Sequence, residues 1–312
     1  MNSYLKRFAG TVIALIIFVV LLASVLLFDR EKQPEENLEK VFPGIDTEEI
    51  TSFSLKSSGS EFTLEKGDGG WIVESGSKRF KADEDAIEDL IQDVKDMESE
   101  KPVARDSDKL DVYGVVDSEA EFSFRTRDAE YPVIIGDKSP VGTGMYIYDL
   151  GEGRVLIVKD QYLWGFVNKS PGDFRERNLL GMNKDAVTRI TVKVGDFSTG
   201  LARKDGKWFV EGGEDNRIAD QKRVRELLDS FSGLKADGFE NDAPESLEKY
   251  GLHEPTAEIV FYGNEGEEGV LFGKRKDEGS YFVKVMKGEP VYSVSKNYFK
   301  ILPKNNEDVI SR

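Results

Sequence analysis

KLDVYGVVDSEAEFSF (109–124) and ESLEKYGLHEPTAEIVF (245–261) align with Tyr113-Gly114 on Tyr250-Gly251, 137 residues apart. The same offset carries Trp71 of GGWIVE onto Trp208 of GKWFVE, and Ala82-Asp83 onto Ala219-Asp220. Leu90 falls on Leu227, and Ile135-Gly136 on Phe272-Gly273. One such match arises by chance. A series in a single register is the mark of an internal duplication.

Each copy predicts the same order of elements. ITSFSLKS, EFTLEK and WIVES are short, half-alternating apolar runs, the last two separated by Lys66-Gly67-Asp68-Gly69-Gly70, and they read as strands joined by turns. Ile87, Leu90, Ile91, Val94 and Met97 then recur at helical spacing behind Asp83, placed as an N-cap. Val224, Leu227, Leu228 and Phe231 do the same behind Asp220. Gly114 and Gly251 suit the left-handed cap of a short helical turn. EAEFSFRT, YPVIIG, MYIYDL and RVLIVK complete the first copy, against TAEIVFY, GVLFG, SYFVKV and PVYSVSK in the second. A terminal apolar turn, Tyr162–Val167 or Tyr298–Leu302, ends each.

Ahead of the repeats, Phe8 to Phe28 is a run of 21 uncharged residues. As a helix at about 1.5 Å per residue it matches a hydrocarbon core of about 30 Å. It exceeds the ~7–15-residue apolar stretch of a signal peptide, and Ala23-Ser24 lie inside the run, so an uncleaved anchor is expected. Lys6 and Arg7 flank one side; Asp29, Arg30, Glu31 and Lys32 form a mixed cluster on the other. The positive-inside bias then keeps the N-terminus cytoplasmic and sends the bulk of the chain across the cell membrane.

The expected fold class is therefore α+β: an N-terminal transmembrane helix followed by two tandem, duplicated, strand-rich α+β lobes. The expected boundaries are a cytoplasmic N-terminus (1–7), the anchor (8–28), a juxtamembrane linker (29–46) and lobe 1 (47–168). An inter-lobe linker (169–186), lobe 2 (187–304) and a tail (305–312) follow. Lobes of about 120 residues are large enough to bury their own cores.

Composition narrows the chemistry. The 312 residues carry a formal charge of −16, no cysteine and one histidine. Disulfides, thiolate metal sites and cysteine nucleophiles are excluded, as is a multi-histidine centre within one chain. No bound metal and no cofactor are expected, and an acidic surface argues against nucleic acid. His253 stands where the first copy has Val116, so it is a weak catalytic candidate. Close pairs among 59 carboxylates are unavoidable and say little. Ser246–Lys249 and Ser293–Lys296 have the Ser-x-x-Lys spacing without its companion motifs. Asp106–Asp117 resembles a calcium loop but lacks its glycine and final glutamate. GDKSPVGT (136–143) lacks the Gly-Lys-Ser/Thr ending of a phosphate loop. No catalytic residue is assigned.

Candidates for partner binding remain. Trp71, Trp208, Tyr113 and Tyr250 recur at equivalent places, and line either an aromatic groove or the packing of a duplicated fold. Pro171–Leu180 bridges the copies without a counterpart in either. It reads as an inter-lobe linker, or as a segment presenting Arg175 and Arg177 to a carboxylate-bearing partner.

Taken together, the Trp-x-Val strands, the Ala-Asp helix starts, the Leu-x-x-Tyr-Gly-Leu step (Leu247 to Leu252; Leu110 to Val115) and Asp173-Phe174-Arg175 resemble the bacterial domain-of-unknown-function family 4340. The first copy departs from it at Val115-Val116-Asp117-Ser118. The resemblance implies an extracytoplasmic accessory of an ABC-type export system related to gliding-motility transporters, and supplies no catalytic residues. The expected role is thus non-enzymatic, with the bilayer engaged through 8–28 and protein subunits of the exporter as partners. A cell-surface glycan- or peptide-binding module and a carboxylate-based hydrolase are the alternatives.

Overall fold

The computed structural model describes residues 38–310 except 58, 100–101, 106–108, 141, 143, 213–216 and 265, together with 15, 17–20 and 22–23. It divides into two compact units, one of Met1–Arg79 with Asp85–Ser170, the other of Phe80–Glu84 with Pro171–Arg312.

In the first unit, strands β1 (Ser52–Ser57), β2 (Ser60–Gly67) and β3 (Gly70–Ser75) precede helix α1 (Glu84–Asp96). Strands β4 (Ala120–Arg125), β5 (Glu130–Lys138), β6 (Gly144–Asp149) and β7 (Arg154–Lys159) follow it. They lie side by side in the order β3-β2-β1-β4-β5-β6-β7. Every adjacent pair is antiparallel. The period of two sends Phe53 and Leu55 of β1 inward, opposite Phe124 and Phe122 of β4. Phe166, from the turn after β7, stacks on Phe122 with centroids 4.0 Å apart. Ile87, Leu90 and Val94 are the buried stripe of α1.

The second unit repeats this plan with β8 (Val187–Val194), β9 (Phe197–Lys204), β10 (Lys207–Val210) and helix α2 (Gln221–Ser232). Strands β11 (Gly238–Asn241), β12 (Ala257–Gly263), β13 (Gly266–Arg275), β14 (Ser280–Val285) and β15 (Val291–Ser295) come next, then the short helix α3 (Lys296–Lys300). The order β10-β9-β8-β12-β13-β14-β15-β11 reproduces the first sheet. Asp220 caps α2, its carboxylate accepting the N–H groups of Lys222 and Arg223. Phe231 of α2 lies 5.6 Å from the Phe261 ring and 6.3 Å from that of Phe272, which welds the helix to β12 and β13. Burying one such ring contributes roughly 1.5–3 kcal/mol.

Two expectations are corrected. The expected α+β class is overturned: the structure is mostly antiparallel sheet, arranged in two sheets. Each repeat spends its long helical period on one helix, of 13 or 12 residues, and the step before Gly114 or Gly251 is a single 3-10 turn. The transmembrane helix is the second correction: among the described residues no helix is long and apolar enough to cross a membrane. Most of 8–28 lies outside the described residues.

The repeat also begins earlier than its motifs suggest. Lys40 pairs with Glu98 and Asn178 with Lys235; the next N–H groups, of Val41 and Leu179, donate to Met97 and Leu234. Asp46 and Asn183 then cap matching 3-10 turns. Residues 38–46 of the expected linker 29–46, and 178–183 of the expected linker 169–186, thus form a lead-in segment that closes over the end of the helix.

Candidate functional site

The Tyr-Gly step is a brace built twice. Gly114 (φ 68°) and Gly251 (φ 67°) are left-handed, and their N–H groups donate to the backbone carbonyls of Asp111 and Glu248. The backbone then crosses a second glycine, Gly136 in β5 or Gly273 in β13. A Cβ there would overlap the carbonyl oxygen of Tyr113 or Tyr250. The Tyr113 ring meets Tyr146 edge-on at 5.0 Å, and Tyr250 meets Phe282 at 5.1 Å. Trp71 and Trp208 are buried, Trp71 at 6.0 Å from Phe53 and Trp208 within the second core. Each of the four rings is held by neighbours of its own unit.

The arginines are likewise engaged internally, within the second unit. Arg175 is 8% exposed, its guanidinium 3.6 Å from the Phe80 ring centre and 3.9 Å from that of Phe239, and it donates to Asp242 at 2.7 Å. Arg177 donates to the carbonyls of Gly172, Ala236 and Asp237, all at 3.3 Å. The pair therefore locks the lead-in segment onto β11. Tyr292 beside them has its phenol pushed up by burial, with Arg175 opposing.

Carboxylate chemistry has one notable member. Burial first, then Asp89 and Asp96, push Asp93 up to about 6, while Lys169 pulls it down. Those two acids are on the same helix, α1, three and four residues away, and a Cβ on Gly165 would stand 2.9 Å from the Asp93 carboxylate. This is a crowded helix face, not two carboxylates facing across a cleft. Among the described residues no three His, Asp or Glu side chains are grouped to hold a metal ion. His253 is exposed in the turn before β12.

A polar groove of about 570 Å³ lies in the second unit, where Arg189, Thr191, Thr199 and Arg217 contribute to its walls and Arg189 is tied to Glu211 at 3.0 Å. Its described lining includes no aromatic ring on which a sugar would stack.

What the sequence reading missed is Trp164, 69% exposed in the turn after β7. Its equivalent in the second copy is Lys300, as Phe166 corresponds to Leu302 in the core. Val112 and Val116, each 61% exposed, correspond to Lys249 and His253. Three exposed positions thus hold apolar side chains in the first unit and polar ones in the second. Comparing the copies residue by residue would have revealed it, because a surface position needs no apolar side chain for folding.

Two antiparallel sheets, each with one long packed helix and a glycine brace, define a tandem-repeat, strand-rich protein. The model of the family described as Domain of unknown function (DUF4340) matches residues 74–218 and 208–312, and the chain belongs to that family. No curated protein matches the chain, and neither does any solved structure.

Proposed function

We propose that this is a non-enzymatic accessory protein of an ABC-type export system, working on the extracytoplasmic side of the cell membrane. The supporting observation is Trp164, with Val112 and Val116: apolar side chains kept exposed in one copy at positions the other copy makes polar. Aromatic anchors dominate protein–protein binding, and tryptophan is the residue most enriched among them. The uncharged run 8–28 supports a location next to the bilayer. The family resemblance supports the exporter as the partner.

A photo-crosslinking amino acid at position 164, expressed in the native cell, tests this. Crosslinks to an exporter subunit are expected from position 164, and none from the equivalent position 300. Absence of any crosslink from position 164 would refute the interaction at Trp164.

A further inference from the structure

In the second unit, a half-buried carboxylate stands on the core-facing side of the sheet. Glu268 is the direct cross-strand partner of Phe261 in the β12–β13 ladder, so the two side chains leave the same face of the sheet. Phe261 is buried, and Oε2 of Glu268 is buried with no hydrogen-bond partner. Beside them is a pocket of about 100 Å³, bordered also by Met182, Ala186, Val187 and Lys287.

The first unit shows what this volume is made for. There Tyr131 is the cross-strand partner of Phe124, their rings stacked at 4.7 Å and 10°. Phe42 closes the site edge-on, 5.0 Å from Phe124 and 5.9 Å from Tyr131. The second copy has Leu180 and Glu268 at those positions. Two rings are gone, and a carboxylate oxygen without a donor stands at the edge of the space they would fill. A buried acceptor is tolerated when a donor from elsewhere completes it.

We propose that this pocket binds a guanidinium group, the arginine side chain of a protein partner. The planar fork donates to Glu268 while its face lies along Phe261 in place of the missing tyrosine ring, and the methylenes run over Met182 and Val187. The same unit already seats one guanidinium in this manner, Arg175 between two phenylalanine rings and against Asp242. Lys287, exposed at the rim, is the chain's own competitor for the carboxylate. The proposal stands on the second unit alone and is independent of the exporter reading.

The test is titration of the purified full chain with N-acetyl-arginine amide, followed by saturation-transfer NMR. N-acetyl-citrulline amide (neutral, same shape) and N-acetyl-lysine amide are the comparisons. Saturable arginine binding is expected, at least tenfold tighter than either comparison. Glu268→Gln should weaken it at least tenfold. Glu268→Tyr, which restores the ring of the first copy, should abolish it while leaving the thermal midpoint unchanged or higher. No saturable binding, equal binding of citrulline or lysine, or retention by both variants would overturn the proposal.

Discussion

Gly273 lies directly beneath the carbonyl of Tyr250, so close that a Cβ would overlap the oxygen, and Gly136 stands in the same relation to Tyr113. The contact ties the turn before the central strands to the strand after them. It explains why the strand motif ends in glycine in both copies: the constraint is steric and comes from across the sheet.

Gly273→Ala should therefore destabilise the second unit by about 1–3 kcal/mol, the usual cost of overpacking. Gly136→Ala should do the same to the first. Urea unfolding followed by fluorescence separates the two, because Trp208 reports on the second unit and Trp71 and Trp164 on the first.

Arg175 and Asp242 form a largely buried pair at 2.7 Å. Removing one partner strands the other, so Arg175→Ala should cost about 3 kcal/mol. Arg175→Lys should recover little, since an ammonium cannot stack flat between Phe80 and Phe239. A double-mutant cycle with Asp242→Ala should show strong coupling in the unfolding free energy.

Asp93 provides a pH signature. Its carboxyl titrates near 6 in the folded chain against an ordinary value of 3.8, so the folded state holds the proton more tightly. Stability gained from this group appears as pH falls through about 6 and is complete below about 3.8. Above pH 6 the charged form is a penalty. Asp93→Asn should raise the thermal midpoint at pH 7–8, and that gain should shrink toward pH 4. An equal gain at every pH would contradict the assignment.

The sequence made much of this legible, and the reasons differ by residue. Tyr-Gly, Trp and the helical stripes recur because each is needed for packing in both copies, so one offset exposed the architecture. The left-handed glycines and the Asp220 cap follow from local backbone chemistry and were readable directly. The lead-in strand was hidden because it slips by one residue between copies: Val41 corresponds to Leu179, whereas Asp46 corresponds to Asn183. Glu268 was hidden in an acidic run, since only the ladder register reveals that it faces Phe261. Arg175 and Arg177 could be read as part of a docked linker or as a presented pair, and the rings and carbonyls that engage them come from distant segments.

Trp164→Lys should leave the unfolding free energy within about 0.5 kcal/mol of the parent, because the side chain is exposed. A large loss of stability would instead make Trp164 a packing residue.

The central claim, that this chain is an interaction partner of an export machine, is tested most directly by affinity isolation from mildly solubilised membranes, comparing the parent chain with Trp164→Lys by mass spectrometry. The account predicts an ABC permease and its extracytoplasmic subunits in stoichiometric amount with the parent and their loss with the variant. A parent chain that emerges alone, or a variant that retains the same companions, would contradict it.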